Sequence, residues 1–105
     1  MWQKVCPETD LPAGSNTAID MGHRRIGVFH TSEGVYAIDN TCPHAGADLH
    51  IGDVEDGQIY CPFHAWPFRL KDGVCAILPK FNVHTYPTRI ESGFIWVNPE
   101  EGQKI

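Results

Sequence analysis

The sequence lacks long apolar runs, an excess of positive charge and any helical stripe of useful length. No stretch approaches the roughly 20 apolar residues of a transmembrane helix, and Met1–Lys4 lacks the charged and then apolar run that opens a signal peptide. The net charge is −5, which argues against nucleic acid or an anionic membrane surface as the main partner. We therefore expect a cytoplasmic protein that binds neither nucleic acid nor membranes.

Motifs of hydrolytic and nucleotide chemistry are also lacking. The sequence contains no Gly-x-Ser-x-Gly elbow, no phosphate-binding loop and no dinucleotide fingerprint. It does contain ten glycines and eight prolines, spread along 105 residues. They divide the chain into short segments, and the length suffices for one domain only. Together these features predict a single all-β domain, residues 1–105.

Two hairpins are predicted in the first 60 residues. Arg25–His30 and Val35–Asp39 are rich in β-branched and aromatic residues, and a turn with Gly34 separates them. Val54–Tyr60 contains Asp-Gly at its centre, which favours a tight hairpin turn. Both patterns are typical of antiparallel sheets.

The C-terminal third is predicted to return to strand structure. Val83–Glu91 and Phe94–Val97 flank a Ser-Gly turn, and Pro87 is expected at an edge or a bulge. Residues 40–80 have more Pro, Gly, Cys and His than their flanks. We therefore predict a small antiparallel β-sandwich or barrel, with a basal scaffold of residues 1–39 and 81–105 and an inserted subdomain of about 40–80.

Two short motifs in this insert carry the chemistry. Cys42-Pro-His44 and Cys61-Pro-Phe-His64 each offer one thiolate and one imidazole, and 16 residues separate His44 from Cys61. A single tetrahedral zinc ion takes such a set of four ligands. A two-iron, two-sulfide cluster takes the two cysteines on one iron and the two histidines on the other. Because zinc sites usually pair Cys with Cys and His with His, the pairing of Cys with His in each motif favours the cluster.

The pattern Cys-x-His, a 16-residue spacer and Cys-x-x-His resembles the Rieske iron–sulfur family. The resemblance covers most of the chain, including a Thr-Tyr-Pro strand at residues 85–87. It is greatest for the ferredoxins of bacterial ring-hydroxylating oxygenases and for the small subunit of NAD(P)H-dependent nitrite reductase. It implies an all-β fold and one [2Fe-2S] cluster per chain. It also implies that Cys42 and Cys61 bind the inner iron and that His44 and His64 bind the outer one.

The chain departs from the respiratory branch of that family at four positions. Where that branch has a disulfide between the two loops, the matching residues here are Ala47 and Phe63. Where it has hydroxyl donors to sulfur, this chain has Trp66 and Phe68. Fewer donors leave the reduced cluster less stabilised, so a potential low for this family is expected.

The remaining cysteines and histidines have simpler interpretations. Cys6 and Cys75 belong to no motif and are expected to be core thiols rather than ligands. His50 lies between the motifs and is expected to be solvated. Core packing under the cluster is the favoured role for Trp66 and Phe68, with a partner-facing patch as the alternative. The exposed histidines are expected at positions 23, 30 and 84.

Charge along the chain suggests the sign of a partner surface. No Lys or Arg occurs between Ile26 and Phe68, whereas six carboxylates do. Some of them are expected to flank the cluster, and a basic partner surface would then be steered toward them. Ordinary solvated loop carboxylates are the alternative.

Three functions follow as hypotheses. The first is one-electron transfer from a flavin reductase to a terminal oxygenase, by a chain that is a monomer when free. The second is electron transfer as the small subunit of a nitrite reductase, docked on the large subunit. The third is a zinc-stabilised interaction module. No catalytic residue is expected on this chain, because fully ligated irons leave no position for a substrate.

Overall fold

Ten short antiparallel strands form the molecule, which a computed structural model describes for residues 1–105. The all-β class is therefore confirmed. No helix is long and apolar enough to cross a membrane. The strands are β1 (Gln3–Pro7), β2 (Ser15–Met21), β3 (Arg24–Thr31), β4 (Gly34–Asp39), β5 (Asp53–Glu55), β6 (Gln58–Tyr60), β7 (Pro67–Arg69), β8 (Thr85–Tyr86), β9 (Thr88–Glu91) and β10 (Phe94–Val97).

The strands form three sheets, in the orders β1-β10-β9, β2-β3-β4-β8 and β5-β6-β7. The predicted hairpins are confirmed as β3-β4 and β5-β6. The only helical elements are three-residue 3-10 turns, at Glu8–Asp10, Leu49–Ile51, Pro79–Phe81 and Pro99–Glu101.

The central sheet is buried on both faces. On β3, Ile26 and Val28 pack into a core shared with β10, whereas Phe29 packs into a second core. The second core also contains Cys42, Cys61 and Phe68. Side chains alternate between the faces of a strand. One face of β3 therefore packs against the basal scaffold, and the other packs against the segments that contain Cys42 and Cys61.

Gly27 is required where β3 passes under residues 40–50, the loop that follows β4 and contains Cys42 and His44. A Cβ atom at this position would lie 2.7 Å from the side-chain oxygen of Asn40 and 2.9 Å from the Phe29 ring. Only glycine lets the strand approach Asn40 this closely, so the loop is seated directly on the sheet.

The predicted strand Val83–Glu91 is two strands. Thr85–Tyr86 pairs with β4, and Thr88–Glu91 pairs with β10 in another sheet. Pro87 lies between them, at the point where the chain changes sheets, which confirms its expected edge position. Its ring leaves no N–H for a ladder, and its carbonyl accepts a bond from Asn98 N–H at 3.0 Å.

The half-buried carboxylate of Asp39, at the end of β4, ties that strand to β8. Asp39 accepts hydrogen bonds from the Tyr86 hydroxyl at 2.5 Å and from the His84 backbone N–H at 2.9 Å. Burial, together with the Asp39 carboxylate, raises the pKa of Tyr86 to about 12. The hydroxyl therefore stays protonated and bound to Asp39 through the neutral range.

Candidate metal centre

The first ligand loop, residues 40–50, connects β4 to the third sheet and closes on itself. The Cys42 N–H donates to the Ala47 carbonyl at 2.9 Å, and the Gly46 N–H donates back to the Cys42 carbonyl at 2.7 Å. Gly46 has φ +72°, in the left-handed region that glycine adopts without strain. Cys42 is thereby held at the base of a tight turn.

The second ligand loop, residues 61–66, repeats this arrangement between β6 and β7. The Cys61 N–H donates to the Trp66 carbonyl at 2.9 Å, and the Ala65 N–H donates back to the Cys61 carbonyl at 3.1 Å. His64 and Ala65 have φ of +71° and +55°, which costs energy in residues with a Cβ. The two loops thus present their cysteines through the same two backbone hydrogen bonds, the first spanning five residues and the return bond spanning four in each loop.

The two thiols lie together at the bottom of the site. Cys42 and Cys61 are 1% and 2% exposed. Burial raises the pKa of the Cys61 thiol, and the adjacent Cys42 adds to the effect. Because a metal ligand must be the thiolate, a bound cation is what would stabilise both sulfurs in that form.

The two imidazoles lie together at the surface. His44 and His64 are both exposed, with ring centroids 5.6 Å apart and ring planes at 76°. All four predicted ligand residues are thus brought into two adjacent loops, as a buried sulfur pair and an exposed nitrogen pair.

This donor set fits a two-iron cluster. No three His, Cys, Asp or Glu side chains converge on one point as ligands of a single ion, which a zinc site would require. Two thiolates for one iron and two imidazoles for the other match the observed pairs. The zinc alternative is accordingly disfavoured by the arrangement of its own proposed ligands.

The two aromatic residues after the second motif both contact the core that contains Cys42 and Cys61. Phe68 is fully buried in it, as predicted. Trp66 is half-buried and packs against its edge, and its ring also stacks on His44 with centroids 3.9 Å apart and planes at 11°. Core packing is therefore confirmed for Phe68, and Trp66 combines it with a contact to His44.

Asn40 is a site residue that sequence reasoning did not find. Its side chain is fully buried, and its oxygen accepts the His50 N–H at 2.9 Å. Its amide nitrogen lies 3.0 Å from Nδ1 of His50 and 3.4 Å from Asp48. His50 is therefore half-buried and bound rather than solvated. A lone Asn before Cys-Pro carries no sequence signal for this role.

The other predicted non-ligands lie outside the ligand loops. Cys75 is buried, as expected, whereas Cys6 is only half-buried on β1. His23 is exposed, but His30 is half-buried, with Nδ1 2.6 Å from the Leu11 carbonyl. His84 lies 3.0 Å from Asp39.

The acidic residues are not gathered around the histidines. Glu33, Glu55 and Asp56 line a groove of about 680 Å³ that contains none of the four ligand residues. They lie at the β3-β4 and β5-β6 turns, which are the hairpin ends opposite to Cys42 and Cys61. Asp48, nearer the ligands, lies 3.6 Å from Arg25. The expectation that these carboxylates flank the cluster is therefore not supported by their placement.

The fold, with its buried pair of cysteines and exposed pair of histidines, is that of a small all-β iron–sulfur protein. The family described as the Rieske [2Fe-2S] domain matches residues 1–87, and this chain belongs to that family. The chain accordingly carries one [2Fe-2S] cluster.

Relatives of similar length come from two kinds of electron-transfer system. The chain is 32% identical, over 87% of its length and 88% of the relative's, to the ferredoxin component of naphthalene 1,2-dioxygenase/salicylate 5-hydroxylase systems of Ralstonia sp.. The structure of the carbazole 1,9a-dioxygenase ferredoxin of Nocardioides aromaticivorans has a TM-score of 0.85 and 31% identity, covering 93% of this chain and 97% of that one.

A third similar protein is described as the NADH-dependent nitrite reductase small subunit of Mycobacterium tuberculosis. Its structure has a TM-score of 0.85 and 28% identity, covering 92% of this chain and 93% of that one. Other curated relatives are much longer, and the chain spans 11 to 26% of their length.

Proposed function

We propose that this protein is a one-electron carrier that passes electrons from a reductase to a terminal oxygenase. The observation that carries the proposal is the exposed pair of His44 and His64 above the buried pair of Cys42 and Cys61. We assign these four residues as the cluster ligands, and residues 40–80 as the subdomain that presents them.

The proposed ligand set leaves electron transfer as the chemistry of the site. When bound, the cluster would accept and release one electron. With four protein ligands, its irons would have no open coordination position for a substrate. The cysteines exclude water from the inner side because they are buried in the core. The histidine rings, being exposed, offer a partner protein the shortest approach.

The surface beside the histidines carries exposed apolar side chains and one lysine, Lys80, whose Nζ lies 5.2 Å from the centroid of the Phe81 ring. Phe63 lies between Cys61 and His64 in the second motif, and its side chain is 55% exposed. Ile77 and Leu78 are 49% and 41% exposed. The latter two precede the turn that places the Phe81 ring 6.0 Å from His44. Exposed apolar side chains of this kind mark protein interaction sites. We propose that redox partners dock here through apolar contacts.

Permanent docking on a nitrite reductase large subunit is the second candidate. It is favoured by the equal TM-scores of the small-subunit and ferredoxin structures. Free diffusion as a monomer belongs to the first candidate. A cytoplasmic location is proposed for both, since neither Cys6 nor Cys75, the two cysteines outside the ligand motifs, forms a disulfide.

The test is single-turnover electron transfer from the reduced protein to each partner from the same cell. We expect rapid oxidation by the oxygenase, with no stable complex in gel filtration. Phe63→Ser should slow this transfer, whereas Ile90→Ser, at a similarly exposed site in another sheet, should not. Oxidation only by a nitrite reductase large subunit, in a stable complex, would establish the second candidate. Failure of the protein to accept an electron would refute both.

The reduction potential tests the environment of the sulfur pair. We expect a midpoint near the lower end of the about −150 to +300 mV found for such centres, because Trp66 and Phe68 carry no hydroxyl. Phe68→Tyr should raise it by about 30–60 mV if the new hydroxyl donates to a cluster or Cys61 sulfur.

The matched control is Phe94→Tyr, on β10 in the basal scaffold, which should leave the potential unchanged. The measurement is a redox titration followed by visible absorption. A wild-type midpoint above roughly +100 mV would contradict the argument from absent donors.

A further inference from the structure

A single indole ring connects the two ligand loops. The Trp66 carbonyl accepts the Cys61 N–H of its own loop at 2.9 Å. The Trp66 ring stacks, 3.9 Å between centroids and nearly parallel, on His44 of the other loop. One residue therefore fixes the backbone of one cysteine and the side chain of the opposite histidine.

A third aromatic ring closes this arrangement from the side. Phe81, on the 3-10 turn Pro79–Phe81, meets Trp66 edge-on at 5.4 Å and His44 edge-on at 6.0 Å. His64 has no comparable support, since its only aromatic neighbour is the edge of His44 at 5.6 Å. The two histidines are thus unequal: both are exposed, but His44 packs against the Trp66 and Phe81 rings and His64 against neither.

No disulfide joins the two loops. The backbone bonds between Cys42, Gly46 and Ala47 stay within the first loop, and those between Cys61, Ala65 and Trp66 stay within the second. A histidine at the surface is free to rotate about its side-chain bonds unless packing restricts it. Parallel stacking restricts both the rotation and the direction of the ring nitrogens.

We propose that Trp66 is a positioning residue that braces the two loops across the cluster and holds His44 in its ligating orientation. The proposal rests on the assignment of His44 as an iron ligand. Trp66 covers one face of the imidazole from water and limits the motion by which the ligand would leave. Groups that orient metal ligands in this way strengthen metal binding and tune the metal.

The experiment compares Trp66→Leu, which removes the ring, with Trp66→Phe, which keeps a smaller one. The first readout is the rate at which visible absorbance is lost in excess chelator. We expect Trp66→Leu to lose its cluster about three- to tenfold faster than the wild type, and Trp66→Phe to lie between them. Trp96→Leu, a half-buried tryptophan on β10, should match the wild type.

The second readout reports the ligand itself rather than the stability of the fold. Hyperfine spectra of the reduced protein with ¹⁵N-labelled histidine should resolve two ligand nitrogens in the wild type. In Trp66→Leu one of the two couplings should broaden or shift, since the freed ring samples several orientations, and Trp66→Phe should restore it.

The outcomes separate this proposal from the function on which it rests. If Trp66→Leu lost its cluster at the wild-type rate and kept both histidine hyperfine couplings unchanged, the proposed role of Trp66 as a brace between the loops would be overturned. If that variant does not fold, wild-type release in Trp66→Phe would overturn it equally, and an intermediate rate would support it. Two histidine couplings retained in His44→Ala would refute the ligand assignment instead.

Discussion

His64→Ala is expected to yield protein without its cluster. The Ala65–Cys61 hydrogen bond holds the backbone of His64 at a positive φ. Because the His64 ring is exposed, the packing of the core does not depend on this side chain. Its removal leaves the outer iron one ligand short, and the other histidine of the first loop, His50, is held by Asn40, with its Nδ1 3.0 Å from the Asn40 amide nitrogen. Iron and acid-labile sulfide per chain should fall from two of each in the wild type to near zero.

The matched control is His23→Ala, which removes an exposed imidazole from the turn between β2 and β3. It should retain the full cluster. The reduced wild type should also show an average g value below that of an all-cysteine cluster, because neutral imidazole donates less charge than thiolate. Full iron and sulfide in His64→Ala would show that the ligand assignment is wrong. One zinc and no sulfide in wild-type protein from iron-replete cells would establish the zinc module.

Asn40→Ala is expected to cause a large loss of stability, although Asn40 is not among the assigned ligands. The Asn40 side chain is fully buried, and it satisfies the backbone N–H and the Nδ1 atom of His50. Alanine leaves those groups without a partner and opens a space above Gly27. We expect the free energy of unfolding to fall by about 3 kcal/mol, measured by chemical denaturation of the cluster-loaded protein.

Asn16→Ala is the appropriate comparison for this change. Asn16 also reaches the first loop, but through one 3.4 Å bond from its amide to the His50 carbonyl, and it is only half-buried. We expect a loss below about 1 kcal/mol. Equal effects of the two substitutions would show that Asn40 does not organise the first loop.

The two motifs of the site could be predicted because each is a short, local pattern of residue types. The spacing within Cys42–His44 and Cys61–His64 places one sulfur and one nitrogen on each loop whatever the rest of the fold does. The hairpins were predictable for the same reason, since Asp-Gly and Gly turns between β-branched segments determine their own register.

The strand at residues 83–91 shows where local reasoning fails. Alternation of apolar and polar residues continues through Pro87, so the sequence indicates one strand. Two sheets compete for its ends, and β4 takes Thr85–Tyr86 while β10 takes Thr88–Glu91. The end of β8 and the start of β9 are therefore decided by pairing partners that are distant in sequence. Pro87, which has no N–H, lies between the two strands, where neither sheet needs a hydrogen-bond donor.

The sequence by itself determined the all-β class and the placing of one cysteine and one histidine in each of two short motifs, because these depend on residue type and on spacings of a few residues. Only the tertiary structure decided that Trp66 lies on His44, that Asn40 seats the first loop on Gly27, and that Glu33, Glu55 and Asp56 face away from the ligands. Each of these contacts joins segments brought together by sheet packing. No local pattern reports which side chains will meet when two loops close over one core.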